Sequence, residues 1–182
     1  MRVAVVGSSG SGKSTFTRRL GAARGLTVIE LDAINWQAGW RDLNTHDPET
    51  FVRRVEAAVA GDAWVTDGNY SRVLPTILAR ATHIVWLDYG RGVIMSRVLR
   101  RSFQRSLSRK EVWPGTGNVE TWASWLDKEH PIRWAWDTFA RRRARYVEAF
   151  ADDRLSHLTI HRLRHPREAQ PLIARLAREA VA

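Results

Sequence analysis

The sequence predicts an α/β fold: one domain over residues 1–182, with a parallel five-stranded sheet and helices on both faces. Three observations carry this. Short apolar, β-branched runs alternate with helix-period segments along the chain. The first run leads into a Gly-rich turn that opens a helix. Composition shows no break, repeat or low-complexity tract that would call for a second domain. Such a sheet gathers its ligands at the carboxyl ends of its strands.

Each element has a local reason. Residues 2–6 (Arg-Val-Ala-Val-Val) read as a strand buried on both faces. Residues 13–24 place Phe16, Leu20 and Ala23 at helical spacing. Residues 28–31 form a second strand, and a polar loop carrying Asp32, Trp36, Trp40 and Asp42 follows. Over residues 48–60 the pattern is helical, with Asp47 as cap, Pro48 in the first turn, Phe51, Val55, Ala58 and Val59 on one face, and Gly61 as the stop. Strands at 63–67 and 83–88 alternate with helices at 72–81 and about 90–107. Periodicity is lost over 108–131, where Pro114, Gly115, Gly117 and Pro131 break structure, as in a mobile insertion. A long helix over 132–151, a fifth strand at 158–161 and a helix over 166–180 complete the chain.

The turn after the first strand is Gly7-Ser8-Ser9-Gly10-Ser11-Gly12-Lys13-Ser14-Thr15. Two glycines spaced by four residues and followed by Lys and Ser form a phosphate cradle. Its backbone N–H groups wrap a polyphosphate, and the glycines let the backbone come close. Lys13 supplies a charge for the β and γ phosphates, Ser14 is a ligand for Mg²⁺, and the N-terminus of the following helix favours an anion. ATP with Mg²⁺ is the expected ligand pair.

The residues just past the other strands belong to the same end of the sheet. Asp67 ends the third strand, where a carboxylate holds Mg²⁺ or positions a substrate; the alternative is a turn or capping Asp. Asp32 follows the second strand, placed to orient or deprotonate a substrate hydroxyl, or else to form a turn. Trp36 and Trp40 either floor a substrate pocket or pack. Arg97, Arg100, Arg101 and Arg105 flank the insertion on one side, and Arg141, Arg142, Arg143 and Arg145 on the other. Arg97, Arg101 and Arg105 share a helix face, as do Arg141 and Arg145, or Arg142 and Arg145. Such faces suit a triphosphate and the charge that develops on a transferred phosphoryl group; solvated basic faces are the alternative. Five of the nine tryptophans (Trp113, Trp122, Trp125, Trp134 and Trp136) fall at the insertion, as a small core, an oligomer contact or an aromatic surface.

With 29 Lys plus Arg against 19 Asp plus Glu, the formal charge is +10, which favours polyanionic partners, nucleic acid or nucleotide phosphates. The absence of cysteine excludes disulfides and thiolate metal sites and suits a cytoplasmic protein. No apolar run reaches membrane-spanning length, and the N-terminus does not have the pattern of a signal peptide. The chain is expected as a monomer or homodimer.

Leu31-Asp32-Ala33-Ile34-Asn35-Trp36 with Gly39-Trp40, Trp64 to Tyr70, and Leu163 to Glu168 join the phosphate loop in a wider resemblance. Together they resemble the adenylate kinase-like group of P-loop kinases, within it the DNA topology modulation (FlaR-related) proteins, over nearly the whole chain. The resemblance implies the P-loop NTPase three-layer sandwich, strand order 2-3-1-4-5, with an acceptor region after strand two and a lid at about 102–131. It implies that Arg97 and Arg101 meet the ATP base and phosphates, that the 141–145 cluster acts on the transferred group, and that Arg164 to Arg167, with Pro166, border the adenine. The group carries Phe-Pro-Arg after its Asp-Gly pair. Here Asn69-Tyr70-Ser71-Arg72 stands there, with no Pro and the Arg one place later. The likeness of the Asp32 segment to small-molecule kinases implies an alcohol or sugar acceptor.

Two functions of different class are therefore expected to compete. One is a kinase moving the γ-phosphoryl group of ATP to a hydroxyl- or phosphate-bearing acceptor, with Asp32, Trp36, Trp40, Tyr70 and Arg72 on the acceptor side. The other is a nucleic-acid-associated regulatory NTPase.

Overall fold

A computed structural model of the chain describes residues 1–127 and 130–179. In order, the elements are β1 (Arg2–Gly7), α1 (Lys13–Arg24), β2 (Thr27–Glu30), α2 (Leu31–Asn35), β3 (Trp36–Gln37), β4 (Arg41–Asp42), α3 (Leu43–His46), α4 (Pro48–Ala58), β5 (Trp64–Asp67), α5 (Leu74–Arg80), β6 (His83–Leu87), α6 (Arg91–Ser108), α7 (Pro131–Ala149), β7 (Thr159–Leu163) and α8 (Ala169–Arg178). β3 and β4 pair as a short antiparallel ribbon. The other five strands form one parallel sheet ordered β2-β5-β1-β6-β7. Counted along the main sheet alone, this is the expected order 2-3-1-4-5.

β1 is central, and its alternation divides the core. Val3 and Val5 point to one face with Phe16 and Leu20 of α1, Ile94 and Val98 of α6, and Leu172, Ile173 and Leu176 of α8. Ala4 and Val6 point to the other, with Phe51 and Val55 of α4, Ile77 of α5 and Tyr146 of α7. Three layers result, and β1 is apolar throughout because both its faces are covered. α4 starts as its sequence requires: the Asp47 carboxylate accepts from the Thr50 N–H at 3.1 Å, with Pro48 in the first turn.

Four segments differ from expectation. The polar loop after β2 contains the short helix α2 and the ribbon, because Leu31 is buried and buried Asn35 accepts from the Asn44 N–H at 2.9 Å. The last strand is Thr159–Leu163 rather than 158–161, since its ladder with β6 continues to Leu87↔Leu163. The last helix opens with a 3₁₀ turn at Pro166–Glu168, and residue 180 of its expected span lies outside the described residues. Residues 102–108 of the expected lid form the end of α6, where Ser102 and Ser106 are buried. Within that lid span, residues 128–129 lie outside the described residues.

What remains of the insertion has its own structure. Glu111 and Val119 form an isolated antiparallel bridge, and a 3₁₀ turn spans Trp122–Leu126. Trp125 donates its indole N–H to Ser106 Oγ at 3.0 Å. Among the described residues no helix is long and apolar enough to cross a membrane.

Candidate active site

The loop between β1 and α1 closes on itself. Lys13 Nζ donates to the carbonyl oxygens of Gly7 and Ser8, each at 3.2 Å, and the Ser11 N–H donates to Ser8 O at 3.1 Å. Gly12 caps α1 with no side-chain partner, so the first N–H groups of the helix face the loop. Only glycine serves at position 10: φ is +82°, and a β-carbon there would stand 2.3 Å from Val98 Cγ2 and 3.0 Å from the Ile94 carbonyl. Ser11 Oγ is buried without a partner, and Ser14 and Thr15 open the helix.

Carboxylates meet this loop from the neighbouring strands. Asp67, at the end of β5, is 5 % exposed and hydrogen-bonded by Ser14. Burial pushes its carboxyl from 3.8 up to about 6, against the pull of Ser14 and Lys13. Next to it, Gly68 has φ +145°, and a β-carbon would come within 2.7 Å of Leu31. Burial also draws the Lys13 ammonium from 10.5 down to about 8, with Asp67 and Asp32 opposing. Asp32 sits in the first turn of α2 with its side chain exposed, and accepts from the Tyr70 hydroxyl at 2.7 Å. Desolvation and this carboxylate hold the Tyr70 phenol protonated well above its ordinary range.

The arginines divide by role. Arg97 donates to the Ser11 carbonyl at 2.8 Å, and Arg101 reaches Ser9 Oγ at 3.4 Å. Burial lowers Arg101 to about 10, and its Nε is buried without a partner. Arg105 turns instead to buried Glu120 of the insertion, at 3.6 Å. On α7, Arg141 and Arg145 are exposed, and Arg142 is the member of the run whose charge bears on Lys13. Arg143 is held by Asp88 at 2.7 Å, and Arg162 grips the same carboxylate at 2.6 Å. Arg164 is exposed beyond β7, with its N–H donated to Glu168 Oε2 at 3.2 Å, and Pro166 opens the 3₁₀ turn.

On the acceptor side the ribbon and the insertion touch. Trp36 stacks on Trp113 at 6.1 Å, and Trp40 meets both rings edge-on at 5.7 and 5.8 Å. Buried Asn118 donates to Gln37 O at 2.8 Å and accepts from the Trp40 N–H at 2.9 Å. The insertion is thereby docked on the ribbon. Arg72 is exposed and reaches Asn44 Oδ1 at 3.4 Å. Asn118 was not singled out from sequence; Asn69 entered only within the stretch after Asp67-Gly68, and Arg142 only as one member of the 141–145 run.

These groups fit a polyphosphate with a hard cation. Ser11 Oγ and Arg101 Nε, on the loop and beside it, are buried donors without a partner, and the Ser14 hydroxyl with the Asp67 carboxylate is an all-oxygen pair suited to Mg²⁺. Among the described residues no group of three or more His, Asp or Glu could hold a metal alone; Mg²⁺ ordinarily completes its shell with water and substrate phosphates. Affinity for Mg-ATP is expected to fall as pH drops through about 6, where Asp67 protonates, and Asp67→Asn to flatten that profile. In the metal-free protein the sign is opposite. The native state binds more protons than the unfolded chain between 3.8 and about 6, so stability declines as pH rises through that window. Calorimetric titrations and melts from pH 5 to 8 check both.

Fold and loop together define a three-layer α/β chain with a P-loop after its first strand. Among solved structures, shikimate kinase from Acinetobacter baumannii in complex with shikimate is similar over 96 % of this chain and 89 % of that one, with a TM-score of 0.56 and 17 % identity. An uncharacterized protein from Eubacterium ventriosum is similar over 98 % and 99 %, with a TM-score of 0.54 and 10 % identity. At these identities the likeness is one of fold, and the narrower resemblance to the DNA topology modulation group rests on sequence motifs alone. No protein-family model matches the chain, and no curated protein matches it.

Proposed function

We propose that the protein is an Mg-ATP-dependent kinase that transfers the γ-phosphoryl group to a small alcohol- or sugar-like acceptor. One observation carries this reading: Lys13, Asp67 and Asp32 lie within electrostatic reach of one another at the strand ends, and Asp32 keeps an exposed carboxylate steadied by Tyr70. A protein that only senses the nucleotide has no need of that third group, which suits a nucleophile brought to the γ-phosphate.

In this mechanism the loop amides, Lys13 and Arg101 bind the β and γ phosphates, with Arg97 bracing the loop at Ser11. Ser14 and Asp67 hold Mg²⁺, which when bound neutralises charge on the phosphates. Asp32 orients the acceptor hydroxyl and takes its proton as the acceptor oxygen bonds to the γ-phosphorus. The bond from that phosphorus to the β–γ bridging oxygen breaks, and ADP leaves. Arg142 supplies positive charge beside Lys13, and Trp36 and Trp40 border the acceptor. The docked insertion excludes water from the transfer.

Asp32→Asn is expected to lower kcat toward the acceptor by about a hundredfold while leaving ATP affinity unchanged, as loss of a general base does. Steady-state rates beside nucleotide titrations check it; equal loss of both would place Asp32 in the fold or the loop instead. The competing nucleic-acid reading draws on the +10 charge.

A further inference from the structure

The Gly7 carbonyl accepts two hydrogen bonds: from Lys13 Nζ at 3.2 Å and from Asn69 Nδ2 at 2.6 Å. Asn69 follows the Asp67-Gly68 pair at the end of β5, and its other amide atom, Oδ1, accepts from the Tyr146 hydroxyl at 2.7 Å. Tyr146 is 7 % exposed, lies in α7 one turn beyond Arg142, and has that guanidinium against its hydroxyl. Three elements distant in sequence thus meet on one backbone oxygen beneath the phosphate loop.

A lysine that serves bound phosphates must turn away from the carbonyls it occupies in the free loop. A buried carbonyl abandoned in that way loses its partner, and an unsatisfied buried acceptor is costly. We propose that Asn69 and Tyr146 are positioning residues for a handover: Asn69 keeps Gly7 O satisfied when Lys13 leaves for the nucleotide, and Tyr146 fixes the amide in the donating orientation. Because Tyr146 also touches Arg142, the handover is tied to the α7 arginine. Neither residue touches the phosphates. The inference rests on the loop holding a nucleoside triphosphate and is independent of the acceptor.

The free protein satisfies Gly7 O through Lys13 even without Asn69, so the cost of losing Asn69 falls on the nucleotide-bound state. Calorimetric titration of Mg-ATP into the whole chain, alongside thermal melts without nucleotide, reads this difference. Asn69→Ala is expected to weaken Mg-ATP binding roughly tenfold while the nucleotide-free melting temperature falls by only a few degrees. Tyr146→Phe loses several-fold, and the double variant falls short of the sum of the two losses, because Tyr146 acts on Gly7 chiefly through the Asn69 amide, with its own hydroxyl also against the Gly7 backbone. The proposal is overturned if the variants bind Mg-ATP like the wild type, if affinity falls only in step with melting temperature, or if the two losses add. A wild type that binds no Mg-ATP overturns it as well. If no acceptor stimulates turnover, the kinase assignment fails and these affinities still decide the handover.

Discussion

Lys13→Ala is expected to lower acceptor-dependent ADP formation by about a thousandfold, the scale of removing a preorganised charge from a transferring group. Its melting temperature at neutral pH should equal or exceed that of the wild type. The asymmetry follows from the environment of the ammonium. Burial draws its pKa from 10.5 to about 8, more than Asp67 and Asp32 can offset. Between those values the native state binds fewer protons than the unfolded chain, so stability rises with pH across that window and the charged form is disfavoured below it. The fold tolerates this cation and the chemistry needs it. Activity assays and thermal melts at one pH check both halves; retained turnover, or collapse of the fold, contradicts the role given to Lys13.

Gly10→Ala is expected to act on the loop rather than on the charges. A side chain at φ +82° is strained by about 1–2 kcal/mol. Its β-carbon would also stand 2.3 Å from Val98 Cγ2. Val98 is fully buried and β-branched, so it has little freedom to turn aside. Overpacking of this kind costs about 1–3 kcal/mol. The loop must move, carrying Ser9 and Ser11 off their arginine contacts, and Mg-ATP affinity should fall by about tenfold or more. Adding Val98→Ala relieves the collision with Cγ2 and leaves the backbone strain and the 3.0 Å approach to the Ile94 carbonyl, so affinity should recover in part. Full recovery would assign the whole effect to Val98, and none would assign it to the backbone, through φ and the Ile94 carbonyl.

The sheet was legible in the sequence because its strands are buried on both faces and read as apolar runs. Residues 2–6 and 83–88 needed no context, and strand order followed once the phosphate loop and its companion motifs pointed to a fold group. Legibility ended where structure depends on partners far along the chain. Asp32 looked like a loop residue, because α2 is only one turn long and is held by Asn35 reaching Asn44. Three tryptophans were visible as letters, yet the stacking of Trp36 on Trp113 and the bridge made by Asn118 join segments about 80 residues apart. Within the 141–145 run, helical spacing left several pairings open. The choice of Arg142 beside Lys13, with Arg143 turned to Asp88, is set by how α7 lies on the sheet.

The most direct test of phosphoryl transfer is ADP release from Mg-ATP, measured against a no-acceptor control. The panel is sugars, aminoglycoside-like alcohols, nucleosides, nucleotides, DNA and RNA, assayed with the wild type and Asp32→Asn. A small hydroxyl-bearing acceptor is expected to raise ADP release, and Asp32→Asn to lose this increment. Transfer to a small acceptor is contradicted if no small acceptor stimulates release while nucleic acid does, with binding that weakens steeply as salt is raised.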